Sequence, residues 1–384
     1  MTGLLLLVLA CWALALVHGL VFWSWREALR RSASEVVPLH VKEIDLSVII
    51  PVRNEADGIV ALLQDLHGQT HPHANTQVIV VDDGSTDATR EKVEDLQARW
   101  SELTLLRSPG EGKKAAIGHG VAHARGELLV MTDGDVRCGP DRLRTIAGAW
   151  QVQGVDMLLL PVLTDKRWTA LLAWLEEAEQ AVLQGATLGA GLQGQALLAN
   201  GANFAVSRKA FLDALGMRTD ARWSSGDDLF LLRAVARQGG RIGALAGPEA
   251  AVVVEGNTRW REFLSQRLRW AGKMRALPFA PATWVASIAL LWPWLAAALS
   301  GYLLQHPPVG QGLVRIVLLM TTAWCIWALP IIALACAWQR RVHRPCSSFR
   351  MLLLLPLGML LSTCIAVVSI FVRPKWKGRR TRGR

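Results

Sequence analysis

Charged side chains are scarce in this 384-residue chain: Asp, Glu, Lys and Arg make up 19% of it, while apolar residues make up 52%. Globular chains carry about 25% charged residues, and the mean hydropathy here is positive, so a wholly soluble protein does not fit. A cysteine framework is also missing. Cys11, Cys325, Cys336 and Cys364 sit inside apolar runs, and Cys138 and Cys346 stand alone. No pair has metal-finger or disulfide-framework spacing, which predicts free thiols and a reducing compartment around the polar part. No G-x-G-x-x-G follows the first predicted strand, and Gly110-Glu111-Gly112-Lys113-Lys114 lacks P-loop spacing, which excludes both phosphate-binding fingerprints. Long repeats and low-complexity tracts are absent too. Of the charge that remains, 42 Lys and Arg face 31 Asp and Glu, a net +11. That excess favours acidic partners, phosphates or anionic lipid, without choosing between them. The length allows two or three domains, or one large domain plus membrane segments.

The apolar residues are concentrated. Residues 3–23 carry no charged side chain, close to the ~20 residues needed to cross about 30 Å of hydrocarbon. Arg26, Arg30 and Arg31 follow this run instead of preceding it, as suits a spanning anchor better than a cleaved signal peptide. The positive-inside tendency then puts the N-terminus outside and the next segment in the cytoplasm. Three further runs, at about 283–304, 314–338 and 351–372, are each long enough to span, and tryptophans near their ends fit interfacial anchoring. The uncharged link 305–311 suits the outside, and Arg340, Arg341 and Arg344 suit the cytoplasm. Three crossings would, however, leave the tail 373–384 outside, although seven of its twelve residues are Lys or Arg. Two arrangements would relieve this conflict, and both stay open at this point. Either the last run, interrupted by Pro356 and Gly358, returns on the side it entered, or the run around Trp292-Pro293-Trp294 is a broken hairpin.

Between the apolar ends, short β-rich runs alternate with helical periods, the pattern of a mostly parallel sheet covered by helices. Strands are predicted at 46–51, 77–81, 104–107 and 127–132, with an amphipathic helix at 56–66. Polar residues gather directly after the strands: Arg53, Asn54 and Glu55; then Asp82, Asp83, Gly84 and Ser85; then Asp133, Gly134 and Asp135. Open α/β sheets bind ligands at the carboxyl ends of their strands, so the three clusters are expected to share one crevice.

Each cluster has a structural reading beside the functional one. Residues 82–87 suit a turn and helix cap, yet neighbouring carboxylates repel and a cap needs only one, leaving the second for a ligand. Asp133-Gly134-Asp135 is either an acidic turn or a pair of hard oxygen ligands for Mg²⁺ or Mn²⁺. The lysines at 113 and 114 precede a helix at 115–124 and are either an exposed turn or a contact to phosphate or a nucleotide edge. His119 and His123 on that helix have no evident third ligand, and His67, His71 and His73 read as solvated. Asp227 and Asp228 open the helical stretch 229–238, where acidic groups suit the helix dipole or one acts as general base. The stretch 259–275, dense in arginine and aromatics, reads as a helix on anionic headgroups or as a pyrophosphate and sugar contact.

Seven segments taken in order carry a resemblance: LSVIIPVRNE at 46–55, VVDDGSTD at 80–87, GKKAA at 112–116, MTDGD at 131–135, NGANF at 200–204, GDDLFLL at 226–232 and QRLRW at 266–270. Over about 43–275 the chain resembles membrane-bound family 2 glycosyltransferases. The closing Trp376-Lys377-Gly378-Arg379 is similar to the tail of bacterial members that glycosylate lipids or build cell-surface glycans. The resemblance implies an α/β GT-A domain with a mixed, mostly parallel sheet over 40–255. It is flanked by an anchor at 1–25, an interface segment at 256–280, a membrane region at 281–373 and a basic tail at 374–384.

It further implies a nucleotide-sugar donor, UDP-linked in most relatives, and inversion at the anomeric carbon. Pro51, Arg53, Glu55, Asp82 and Asp83 would frame the base and ribose, with Lys114 approaching the nucleotide. Asp133 and Asp135 match the D-x-D motif, with Asp135 on the metal, Mg²⁺ or Mn²⁺, and Asp133 also near the donor. Asp228 matches the catalytic base, and Asp227 replaces the family's usual Glu beside it. Gln266, Arg267, Arg269 and Trp270 match Q-x-x-R-W, closing over the diphosphate, with Trp270 and Asn203 on the acceptor side. The implied partners are a lipid or lipid-linked acceptor and the bilayer, with no nucleic acid. The implied location is the bacterial inner membrane with a cytoplasmic catalytic domain. A processive polysaccharide synthase is the alternative enzyme, and a catalytically silent membrane scaffold is the alternative of another class.

Overall fold

The computed structural model describes residues 2–32, 43–165, 171–216, 227–275, 281–306, 313–372, 375–376 and 379–380. A long apolar helix α1 (Thr2–Arg31) comes first. The polar part follows with β1 (Leu46–Val52), α2 (Ile59–His67), β2 (Thr76–Asp82), α3 (Thr89–Gln97), β3 (Leu103–Arg107), α4 (Lys113–His123) and β4 (Leu128–Thr132). It continues through β5 (Val136–Cys138), α5 (Arg142–Gln153), β6 (Met157–Leu159), β7 (Val162–Asp165), α6 (Leu171–Leu192), β8 (Asn203–Ser207), α7 (Arg208–Leu215) and α8 (Asp227–Arg237). Then come β9 (Ile242–Ala244), β10 (Val252–Glu255), α9 (Trp260–Arg275), α10 (Pro281–Gln305), α11 (Leu313–Arg341) and α12 (Ser348–Phe371), with two-residue strands β11 (Lys375–Trp376) and β12 (Arg379–Arg380).

The main sheet runs β3-β2-β1-β4-β8-β6-β9. β3, β2, β1 and β4 are mutually parallel, β8 is antiparallel to β4 and β6, and β9 is parallel to β6. The mixed, mostly parallel sheet expected from the sequence is therefore present. Its central strands are nearly continuous apolar runs because both faces are covered. Val48 and Ile50 pack with Leu62, Leu63 and Leu66 of α2 on one face. Ile49, pointing the opposite way as strand alternation requires, packs with Ile117 and Val121 of α4 on the other. Pro51 lies beyond the last β1–β4 pair, Ile49 with Met131, at a strand end where a missing donor is tolerated. A second sheet, β5-β10-β7, lies beside the D-x-D segment and was not anticipated, its strands being only three or four residues long.

The core on the α4 side does not end at the polar part. It continues through α6 into Phe22, Trp25 and Leu29 of α1 and Trp292 and Trp327 of α10 and α11. Among the described residues, four helices are long and apolar enough to cross a membrane: Leu6–Arg31, Trp284–Gln305, Val317–Arg341 and Ser348–Phe371. α1 and α11 approach closely where Pro330 deprives the Ile326 carbonyl of its helical donor. A Cβ at Gly19 would sit 2.7 Å from that oxygen, so only glycine permits this crossing. α10 and α12 run continuously through Pro293 and Pro356, and neither the broken hairpin nor the returning run is formed. The 24 residues of α12 extend about 36 Å as a helix. The excess basic charge of 373–384 is thus not relieved by a kink, and most of that tail lies outside the described residues.

Two expectations are corrected. Cys336 and Cys346 form a disulfide, because the turn after α11 brings their Cα atoms to 5.4 Å, within bridging range. His71 is buried, with Nε2 3.1 Å from the Ile44 carbonyl, and burial lowers its pKa.

Candidate active site

The loops after β1 and β2 are stitched together. The Arg53 guanidinium donates to the carbonyls of Asp83 (2.7 Å) and Gly84 (3.1 Å). Asn54, at φ 52°, donates its N–H to the Ser85 hydroxyl and accepts the Thr86 N–H. Within the acidic cluster the two readings divide by residue. Asp82 is buried and accepts the Ser85 N–H at 2.9 Å, and Asp87 accepts the Thr89 N–H at 3.1 Å, so both shape the turn. Asp83 instead lines a cavity, with its Oδ1 accepting the Gly112 N–H at 2.8 Å.

That Gly112 contact fixes the start of α4 and thereby selects the lysine. Lys113, rather than Lys114, lines the cavity. Its ammonium forms an ion pair with Asp133 and reaches the Gly201 carbonyl at 3.3 Å. The Gly201 N–H in turn donates to Asp228 Oδ2 at 2.9 Å, while Asp228 Oδ1 accepts the N–H of Leu229 at 2.9 Å. A chain of contacts thus runs from the D-x-D segment after β4 to the start of α8. A Cβ at Gly201 would lie 3.3 Å from the Lys113 nitrogen and 3.4 Å from Asp228 Oδ2, so a larger residue here would crowd the lysine end. Asp135 lines the same cavity. The side chain of Asp227 and all of Gly226 lie outside what is described.

Across the cavity stands α9, presenting Gln266, Arg267, Arg269 and Trp270. Arg267 is buried and its guanidinium is held by carboxylates: Nε donates to Glu179 at 2.8 Å and Nη1 to Glu176 at 3.3 Å. The neighbouring arginine differs. Burial and the adjacent Arg267 charge both push the Arg269 pKa down, and among the described residues no carboxylate pairs with it. An arginine that stays charged in such surroundings favours an anion in the cavity.

Asn203 does not line the cavity. It is buried behind the D-x-D segment, where its amide donates to the carbonyls of Pro161 (2.7 Å) and Ala250 (2.9 Å). Its Oδ1 accepts from Arg142 at 2.8 Å, and the same guanidinium nitrogen reaches the Thr132 hydroxyl at 2.7 Å. The residue expected on the acceptor side is therefore a framework residue. Glu176, Glu179 and Arg142 were not singled out in the sequence, since nothing near them in the chain marks them.

The three acidic stations and α9 share one hollow of about 2290 Å³, against roughly 300–1,000 Å³ for ordinary ligand pockets. Pro51, Arg53, Glu55, Asp83, Asp133, Asp135 and Asp228 line its polar end, and Val285, Leu290, Leu354 and Ile365 of α10 and α12 its apolar end. For a cation, Asp133 and Asp135 offer hard oxygens, and no third His, Cys, Asp or Glu joins them among the described residues. Such a pair fits an ion that completes its shell from a ligand's phosphates and water.

These features define a GT-A-type nucleotide-sugar transferase fold. A mannosyltransferase from Pyrobaculum calidifontis, solved with GDP-Man and Mn²⁺, shares the fold at TM-score 0.58 and 21% identity, over 94% of this chain and 99% of that one. Residues 47–214 match the family model described as Glycosyl transferase family 2. The succinoglycan biosynthesis protein ExoO of Rhizobium meliloti is 31% identical over 51% of this chain and 57% of its own length. The undecaprenyl-phosphate 4-deoxy-4-formamido-L-arabinose transferase of Aeromonas hydrophila is 34% identical over 29% of this chain and 35% of its own length. The chain thus spans little more than half, or less, of these relatives.

Proposed function

We propose that this protein transfers one sugar, with inversion, from a nucleotide-sugar donor to a lipid-linked acceptor at a membrane surface. The observation that carries the proposal is the single hollow, polar and acidic at one end and walled by apolar helices at the other. Asp83, Arg53, Glu55 and Pro51 are assigned to the nucleoside, and Lys113, in place of Lys114, to the phosphate side. Asp228, oriented by the Gly201 and Leu229 N–H groups, takes the proton of the acceptor hydroxyl. The hydroxyl oxygen attacks the anomeric carbon, the bond from that carbon to the phosphate oxygen breaks, and the nucleoside diphosphate leaves with the electron pair. Arg269 and Lys113 offset the negative charge that develops on it. A divalent ion on Asp133 and Asp135, when bound, adds charge neutralisation at the diphosphate. Trp270 offers an apolar face to the acceptor or sugar.

UDP as the nucleotide, an acceptor carried on a lipid phosphate, and a cytoplasmic catalytic domain on a bacterial inner membrane complete the proposal. The A. hydrophila relative, named for an undecaprenyl-phosphate substrate, supports the lipid carrier. The test is to incubate the full chain, in lipid nanodiscs, with radiolabelled nucleotide sugars and extracted membrane lipids. One labelled sugar per lipid is expected, and a long polymer would favour a processive synthase. Transfer that persists unchanged in Asp228→Asn would remove the assigned base.

A further inference from the structure

Arg267 belongs to the motif expected to close over the donor diphosphate, yet it is already committed. Its side chain is 3% exposed, as against 6% for Glu176 and 26% for Glu179. The guanidinium is stacked between Phe263 (4.1 Å) and Trp270 (4.5 Å) and bonded to two carboxylates of α6, Glu176 and Glu179. Glu176 does more than pair with it. Its two oxygens accept the backbone N–H of Asn257 (2.8 Å) and the Asn257 amide (2.6 Å). That amide also donates to Gln266 at 3.0 Å. One buried carboxylate therefore joins α6, the segment after β10 and α9. With two acids to one arginine, the cluster has no positive charge left for a phosphate.

We propose that Glu176, assisted by Glu179, is the positioning residue of α9. It holds Arg267 as a strut so that Arg269 and Trp270, two and three residues on, face the cavity. Of the two arginines, Arg269 is then the one that meets the diphosphate. The link to catalysis rests on the transfer reading above, whereas the strut itself does not.

The test uses the full chain in lipid nanodiscs. Amide hydrogen exchange is followed in 260–275 and in the central strands, and binding of Mn²⁺–UDP and of Mn²⁺–GDP is measured for wild type, Glu176→Gln, Arg267→Gln and the double variant. Exchange is expected to rise in 260–275 of Glu176→Gln and not in β1, β2 or β4, with Glu176→Asp recovering part of the protection. Affinity for whichever nucleotide the wild type prefers should fall roughly tenfold in each single variant and no further in the double, as members of one coupled network behave. Unchanged exchange in 260–275, or losses that multiply in the double variant, would overturn the proposal, since Arg267 would then act on the ligand independently. If Glu176→Gln does not fold, Glu179→Gln, at the more exposed carboxylate, is read by the same criteria. Absence of any sugar transfer by the wild type would remove the catalytic reading alone, and the exchange data would still decide the strut.

Discussion

The carboxylate of Asp228 accepts the Gly201 N–H at 2.9 Å while Lys113 reaches the Gly201 carbonyl on the other side of the same residue. One peptide segment therefore sets the spacing between the proposed base and the D-x-D segment. Replacing Asp228 by Asn keeps the side-chain volume and removes the proton acceptor, at the cost of one of the two N–H bonds that the carboxylate accepts. Turnover is expected to fall by about 10²–10⁴, the usual contribution of a positioned base, with nucleotide affinity within about twofold of wild type. Measuring kcat and nucleotide Kd on the same preparation separates the two.

Gly201→Ala tests that spacing without touching a charged group. Its Cβ would press on the Lys113 nitrogen at 3.3 Å and come into contact with Asp228 Oδ2 at 3.4 Å. The lysine end is mobile and can yield, but the carboxylate is pinned by two N–H groups. A loss of kcat larger than the loss of thermal stability is expected, and an unaltered kcat would show that the spacing is not limiting.

Asp135→Asn halves the charge of the carboxylate pair proposed for the cation. Transfer should become more metal-demanding, with the half-saturating Mn²⁺ concentration raised at least tenfold, and chelation with EDTA should abolish wild-type transfer reversibly. Equal activity with and without chelator would withdraw the metal from the proposal.

Arg269 lacks a carboxylate partner among the described residues and sits where burial and Arg267 disfavour its charge. Bound diphosphate should relieve that penalty, so Arg269→Ala should weaken nucleoside diphosphate binding by about 1.5–3 kcal/mol, the range for hydrogen bonds to charged groups. Nucleoside binding should change little. Comparing UDP with uridine by titration checks this difference.

How much of this was legible in the sequence varied with range along the chain. The central strands were, because β1, β2 and β4 are nearly continuous apolar runs ended by polar residues, and the crevice at their carboxyl ends followed. Which residue of a pair faces that crevice was not. Asp82 and Asp83 are distinguished only by the turn that lets Ser85 bond the first. Lys113 and Lys114 are about 100° apart on a helix whose start is set by Gly112 against Asp83. Longer-range partnerships left no local trace. Glu176 meets Arg267 across 91 residues, and α6 reads in sequence as an ordinary helix. The bond between Cys336 and Cys346 depends on a turn that apolar patterning does not reveal.

Arg142 and Asn203 form the last test, one of architecture. Arg142 is fully buried at the start of α5, and burial drives its pKa down, only partly offset by Cys138. It is neutralised by no carboxylate among the described residues, and it spends its bonds on Thr132, directly before Asp133, and on Asn203. Asn203 then ties the carbonyls of Pro161 and Ala250 to the same point. Asn203→Ala leaves three buried groups without this partner, each costing about 1–3 kcal/mol. It should therefore lower the thermal midpoint markedly, whereas an acceptor contact would alter acceptor KM and leave stability intact. Arg142→Met removes a desolvated charge as well as two bonds, so its net cost should be smaller than that of Asn203→Ala. Thermal unfolding of both variants, set beside their acceptor KM, distinguishes a framework from a binding role, and a shift in KM alone would return Asn203 to the acceptor side.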